Sequence, residues 1–270
     1  AVPDGSTSLT YGELDALSNQ LKCCLRERGV GKPDVVAIYA ARNVGLAWAL
    51  LGIAKAGAAF VVLDPAYPEA SIAARIDVAA PKALIDLTAG PIPTVLQRTL
   101  EGRHLRARLA WSAAASPEAE SWRGCDTQPP DVQLHEDDIA YLVFTSGSTG
   151  APKAIAGTHA PLSHFFDWHQ ATWRLTSEDR FSVLSGLSHD PLLRDVLGAL
   201  WIGGTAVFPA SDGIGALGYL ADWLRREAIS VAHLTPAMAG LVSGGDAAGG
   251  AAGPGLRRVF FGGGLLSPPT

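Results

Sequence analysis

Charge is sparse in this 270-residue chain, with 17% of residues Asp, Glu, Lys or Arg, and neither sign dominates. Twenty-one basic against 26 acidic side chains leave a net charge of -5. A chain without a positive excess is not a general binder of nucleic acid or of a membrane surface, although a local basic pocket stays open. Long apolar runs are also missing. The stretch from Val44 to Leu63 is interrupted by Gly52, Lys55 and Gly57 and reads as helix, turn and strand, so no segment is expected to span a bilayer. The opening residues Ala1 to Gly5 hold neither the basic nor the apolar stretch of a secretory signal, which points to a cytoplasmic protein. Cysteine is scarce: Cys23, Cys24 and Cys125 are an odd number, and neighbours such as Cys23 and Cys24 do not normally pair. They read as free thiols in a reducing compartment.

What is present is apolar and periodic. Hydrophobic residues make up 48% of the chain, ample for one large core or two smaller ones. Thr10 with Glu13 fits a capping box, and Leu14, Leu17, Leu21 and Leu25 follow at helical spacing up to Gly29. Strands are expected at 35–39, 60–63 and 83–85, with helices at 44–56 and 69–79 between them. Residues 88–136 are less regular, with a helix and a strand near 108–111. The alternation resumes with a strand at 139–144, a helix at 161–173 and a strand at 181–184. A helix at 191–200, a strand at 205–208, a helix at 214–227, a strand at 229–233, a helix at 236–243 and a strand at 258–261 complete the map. Glycines from 244 to 253 form a low-complexity loop. Strands alternating with helices of this length predict an α/β fold of layered, mostly parallel sheets with crossover helices. The chain does not begin with Met and stops at Thr270 just after a strand and a glycine turn, so both ends read as cuts within a longer polypeptide.

The stretch from Thr145 to Lys153 reads Thr-Ser-Gly-Ser-Thr-Gly-Ala-Pro-Lys. Phosphate needs close backbone N–H donors, hydroxyl donors and a cation. Gly147 and Gly150 let the backbone turn tightly, while Thr145, Ser146, Ser148 and Thr149 supply hydroxyls and Lys153 supplies the charge. The loop follows an apolar strand, where α/β sheets place ligands. A solvated Ser/Gly linker is the plain alternative. A Walker A loop, the mark of a P-loop NTPase, is disfavoured, because Pro152 and Ala154 flank the lysine where that motif requires Gly and Ser or Thr.

At these residues the chain resembles the adenylate-forming superfamily, whose loop ends in Lys-Gly where this sequence has Lys153 and Ala154. Leu9 to Leu14, Leu51 to Pro68 and Phe261 to Gly264 resemble three further motifs of its nonribosomal peptide synthetase branch. The resemblance covers nearly the whole chain and implies a partial large subdomain, residues 1–270, of an amino-acid adenylation domain. It implies ATP as co-substrate, with Thr145, Ser146 and Lys153 in catalysis. Thr145 to Gly150, Lys153 and Gly262, Gly263 and Gly264 would contact the nucleotide. It also implies Mg²⁺ held mainly by residues beyond position 270, so that no residue of this chain is a metal ligand. Its partners would be the phosphopantetheine thiol of a peptidyl carrier domain and the neighbouring domains of a multidomain synthetase. The catalytic lysine of the family's C-terminal subdomain would lie further on, so the isolated chain is expected to turn over poorly.

The family register also implies a substrate pocket. Asp190 would hold a substrate amine and His189 would lie near the substrate carboxylate; Pro191, Arg194, His233, Phe260 and Gly262 would line the side-chain pocket. On the residues alone, Asp190 equally fits a helix N-cap before Pro191. Arg194 falls one turn after Asp190, and its planar fork suits a carboxylate-bearing side chain, or else an ion pair with Asp195. The set resembles α-aminoadipate reductases, with Gly262 in place of a bulkier residue. It implies an acidic amino acid such as α-aminoadipate. An aryl- or fatty-acid ligase and a nucleotide-binding module without catalysis are the rival readings. The first would have no amine for Asp190 to hold.

Overall fold

The computed structural model describes residues 8–88, 90–110, 125, 128, 131–146, 152–210, 213–216, 218–244 and 255–265. It divides into two compact units. The first is formed by Leu9–Phe165 with Leu187–His189, the second chiefly by Phe166–Gly186 and Asp190–Thr270.

In the first unit, helix α1 (Tyr11–Glu27) starts at the expected capping box. The Glu13 N–H donates to Thr10 Oγ1 at 3.2 Å, and the Thr10 N–H donates to the Glu13 carboxylate at 2.7 Å. Two orphan donors of the first turn are thus satisfied reciprocally. The leucines at 14, 17, 21 and 25 are buried, and Gly29 ends the helix at φ +70°. Helix α2 (Gly45–Lys55) packs on α1. Gly52 permits the close approach: a Cβ there would lie 2.7 Å from Leu21 Cδ2 and 2.8 Å from Leu21 Cβ. Lys55 ties the far end of the pair, its Nζ lying 2.5 Å from Asp15 Oδ1 and 2.7 Å from Ser18 Oγ.

The sheet of this unit contains β1 (Val35–Tyr39), β2 (Ala59–Leu63), β3 (Ala83–Asp86), β4 (Ala107–Ala110), β5 (Ile139–Ser146) and β6 (Pro152–Thr158). Their spatial order is β4-β3-β1-β2-β5-β6. The first five run parallel; β6 closes the edge antiparallel to β5. Helices α3 (Glu69–Ala79) and α4 (Thr94–Glu101) bury Ile72, Ile76 and Leu96 with Val61, Leu84 and Phe144. Burial of both sheet faces explains why β1 and β2 are near-continuous apolar runs.

In the second unit β7 (Arg180–Ser182), β8 (Thr205–Val207), β9 (Val231–Leu234) and β10 (Arg258–Phe261) form a parallel sheet of order β10-β9-β7-β8. Helices α6 (Pro191–Trp201), α7 (Tyr219–Arg226) and α8 (Pro236–Gly244) connect its strands, and α5 (His159–Trp173) runs from the first unit into the second. Trp223, Leu220, Val207, Leu184, Ile229 and Leu234 form a core cluster here.

The α/β class and the parallel sheets agree with the sequence reading. Four details correct it. Strand β6 is absent from that reading: it is an exposed edge segment opening with Pro152, a residue that tolerates the start of an edge strand but leaves no apolar alternation. The helix expected at 214–227 begins only at Tyr219, after Gly218 at φ +82°. The strand expected at 181–184 is Arg180–Ser182. The reading of three free thiols is also overturned, because Cys24 and Cys125 form a disulfide across 101 residues. Gln128 and Gln133 also contact α1 and the turn after it: Lys22 Nζ donates to the Gln128 carbonyl at 3.0 Å and Lys32 Nζ to that of Gln133 at 2.8 Å. No described helix is long and apolar enough to cross a membrane.

Candidate functional site

The sequence-derived site residues fall in both units, and each group is described within its own unit. In the first, the expected phosphate loop joins β5 to β6. Thr145 stands opposite Lys153, and Ser146 opposite Pro152, in the antiparallel register. Directly opposed residues share a face, so the Thr145 and Lys153 side chains leave the same face of the hairpin, and both residues are exposed. The preceding Phe144 is 4% exposed and packs into the core, as strand alternation requires. Gly147, Ser148, Thr149 and Gly150 lie outside the described residues.

Below this hairpin the buried Arg75 of α3 places its guanidinium 4.2 Å from the centre of the Tyr67 ring and 5.6 Å from that of Phe144. Its Nε and Nη1 have no hydrogen-bond partner among the described residues, so the aromatic faces are what receive this charge. The Tyr67 hydroxyl lies 2.8 Å from His189 Nε2. The adjoining Ser188 seats this segment at the end of β2: its Oγ donates to the Val62 carbonyl at 2.9 Å and accepts from the Asp64 N–H at 3.3 Å. His189 is therefore held at its ring by the Tyr67 hydroxyl and, through the chain, by the Ser188 anchor just before it. Sequence reasoning named His189 as a site residue and Tyr67 only as part of a family motif; it did not name Arg75, whose spacing carries no chemical pattern.

In the second unit, Asp190 precedes α6 with helical dihedrals, and its side chain makes no capping hydrogen bond. The carboxylate is exposed, so the N-cap alternative is not the one the structure adopts. Pro191 occupies the first helical turn, where its missing N–H is harmless. Arg194 follows one turn later, half-buried, its Nε without a hydrogen-bond partner among the described residues. Burial lowers the Arg194 pKa, and the carboxylates of Asp195 and Asp190 oppose that shift.

Asp195 serves a different purpose from the ion pair with Arg194 that the spacing allowed. It is fully buried, and its Oδ2 accepts from the Leu184 N–H at 3.1 Å and the Ser185 N–H at 2.9 Å. Its Oδ1 lies 2.9 Å from His233 Nδ1. His233 on β9 stands opposite Phe260 on β10, and the two rings stack at 4.9 Å. His169 packs on the same Phe260 at 5.0 Å, and Trp173 meets it edge-on at 5.1 Å. Burial depresses the His233 pKa; Asp195 counters the shift and Arg194 adds to it. Burial, then His233 and Arg194, bring His169 down to about 4. Both imidazoles, their pKa values lowered, are neutral at pH 7. The sequence reading placed His233 and Phe260 together, and the strand register does so. It missed His169 and Trp173, one turn apart on α5, and the partnership of Asp195 with His233.

The glycine turn after β10 is open. Gly262 donates its N–H to the Leu234 carbonyl at 3.1 Å, and a Cβ added to it would meet nothing within 4 Å. Gly263 needs its glycine, at φ +78°, and Gly264 lies against Pro236. Among the described residues, the one grouping of three metal-ligating side chains is Cys23, Glu27 and Cys125. Its sulfurs do not suit Mg²⁺, which takes oxygen ligands, and no step is assigned to that ion within this chain.

Comparison with known proteins bears on the family and the fold. The family model described as AMP-binding enzyme matches residues 1–270. The chain is 37% identical over 278 residues to L-2-aminoadipate reductase of Schizosaccharomyces pombe, covering 97% of this chain and 19% of that protein. It is 31% identical over 263 residues to tyrocidine synthase 3 of Brevibacillus parabrevis, covering 97% and 4%. Among solved structures, the nonribosomal peptide synthetase FmoA3 bound to alpha-methyl-L-serine-AMP superposes with a TM-score of 0.81 at 25% identity, covering 99% of this chain and 28% of that one. The chain spans about a fifth of the length of the reductase it matches. With a family model matched from end to end and this adenylation-domain fold beneath it, the chain belongs to the AMP-binding enzyme family.

Proposed function

We propose that the protein to which this chain belongs activates an acidic amino acid, of the size of α-aminoadipate, with ATP and passes it to a carrier-bound phosphopantetheine thiol. A substrate carboxylate oxygen attacks the α-phosphorus of ATP, the bond from that phosphorus to the bridging oxygen breaks, and pyrophosphate leaves. The thiol then displaces AMP from the mixed anhydride. The family membership supports the first step. The aminoadipate reductase relative, and the related synthetase bound to an aminoacyl adenylate, support an amino acid as the acid activated.

One observation carries the choice of an acidic side chain. Asp190 presents an uncapped carboxylate one helical turn from Arg194, whose desolvated guanidinium retains an unmatched Nε. The carboxylate suits the substrate ammonium, and the guanidinium suits a second carboxylate at the far end of the substrate. His189, aligned by Tyr67, is the group assigned to the substrate's reacting carboxylate. Lys153 and Thr145, opposed at the mouth of the hairpin, are assigned to the phosphates, where developing charge needs a cation and a hydroxyl donor. His233, Phe260 and Pro191 shape the side-chain pocket, and Gly262 leaves room at its end.

The test is ATP–pyrophosphate exchange by the full-length protein across the amino acids, with Arg194→Ala and Asp190→Ala variants. Exchange is expected with acidic side chains, reduced by Arg194→Ala chiefly for those substrates and by Asp190→Ala for all of them. Equal exchange with apolar amino acids, or activation of aryl and fatty acids that have no amine, would overturn it.

A further inference from the structure

All three cysteines of the chain meet at one place. Cys23 and Glu27 are four residues apart near the C-terminal end of α1, which sets them on one face of the helix. The Cys23 Sγ lies 3.3 Å from one oxygen of Glu27, and the Cys125 Sγ lies 3.7 Å from the other. The three ligand atoms all fall within 4.8 Å of one another. Cys125 lies about 100 residues further along the chain, and Gln128, three residues on, accepts a hydrogen bond from Lys22 of α1. In the structure Cys125 is bonded to the buried Cys24, the neighbour of Cys23.

We propose that this cluster is a thiol-controlled zinc site, closed while the Cys24–Cys125 disulfide is intact and opened by its reduction. Two equivalents of a thiol reductant cleave the disulfide in successive exchanges, leaving Cys24 and Cys125 as thiols and the reductant as its own disulfide. Zn²⁺ then displaces one proton each from Cys23 and Cys125 and takes the Glu27 carboxylate as third ligand, with water completing a tetrahedron. Bonds of about 2.3 Å to sulfur and 2.0 Å to oxygen set tetrahedral ligand atoms roughly 3.5–3.8 Å apart, close to the sulfur–oxygen distances already present. Two sulfurs and one carboxylate are a donor set that zinc accepts and magnesium does not. The C-terminal end of α1 also carries the negative pole of its dipole, which favours a cation. While the disulfide stands, Cys125 has no thiolate to offer, so metal binding and oxidation exclude one another.

The experiment titrates the folded 270-residue chain with Zn²⁺ against a chromophoric chelator, and with Co²⁺ to observe thiolate-to-metal charge-transfer absorption. The oxidised chain is expected to take up no stoichiometric metal, and the reduced chain one equivalent. Cys24→Ser is the decisive variant, since it removes the disulfide but none of the ligands. Handled anaerobically, it is expected to bind one equivalent with no reductant added. Cys125→Ser and Cys23→Ser should each weaken binding by about 100-fold or more, and the exposed Glu27→Gln by about 10-fold, with circular dichroism reporting the fold of each. Failure of both the reduced chain and a folded Cys24→Ser to bind would overturn the proposal. So would binding that survives Cys23→Ser or Cys125→Ser.

Discussion

Asp195 Oδ1 lies 2.9 Å from His233 Nδ1, with both side chains almost wholly excluded from solvent. The same carboxylate caps the N–H groups of Leu184 and Ser185 just beyond β7. One residue of α6 therefore ties that helix to β9 and to the chain leaving β7. Asp195→Ala would leave two backbone donors and one imidazole nitrogen without this acceptor. It is expected to cost roughly 3 kcal/mol of unfolding free energy, read from urea melts. Asp195→Asn, which retains an acceptor oxygen, should cost less.

The depressed His169 pKa makes stability depend on pH. The unfolded ring takes up a proton near pH 6.5, but the folded ring does so only near 4. The unfolded state thus binds more protons between these values. The contribution of His169 is fully present above about pH 6.5 and is lost progressively as the pH falls towards 4. Melting temperatures across that range should decline less steeply in His169→Gln than in the parent chain. An unchanged slope would show that His169 is not the titrating group.

Gly52→Ala should destabilise the first unit, although alanine normally favours a helix by about 1 kcal/mol over glycine. The new Cβ would lie 2.7–2.8 Å from Leu21 side-chain atoms, one of them the Leu21 Cβ, which cannot swing away by a change of rotamer. A loss of about 1–3 kcal/mol is expected in chemical denaturation. Combining it with Leu21→Ala should give a smaller loss than the sum of the two single changes.

Arg194→Lys keeps the charge but removes the planar fork. If a substrate carboxylate is bound there, kcat/KM for an acidic amino acid should fall on the order of 10- to 100-fold. Neutral substrates should be little affected. Full activity in the lysine variant would argue for a point charge rather than bidentate recognition.

Reducing the Cys24–Cys125 bond frees a loop of about 100 residues in the unfolded chain. The loss is expected to be about 2–5 kcal/mol, measured by melting with and without reductant. Zn²⁺ added after reduction should recover part of the lost melting temperature, since a ligand bound only by the folded form stabilises it.

Much of this was legible in residue order. Local rules placed the capping box at Thr10, the leucine stripe of α1 and strands β1 and β10, because each depends on neighbours within one or two turns. The alternation of strands and helices implies the parallel class, and the Thr145–Lys153 stretch marks a phosphate-binding candidate from residue types alone. What stayed hidden depends on partners distant in sequence. The exposed edge strand β6 has no periodic apolar face, and its identity rests on pairing with β5. Cys24 and Cys125 are joined only because residues about 100 positions apart are brought together at α1, and Arg75 finds its aromatic partners only where α3 crosses the sheet beside Phe144. The Asp195–His233 contact likewise needs α6 packed beside β9. The sequence by itself determined the elements and the chemical groups available to the site. The tertiary structure alone decided which groups face one another, because burial and side-chain direction are set by the packing of whole elements rather than by the order of residues along one of them.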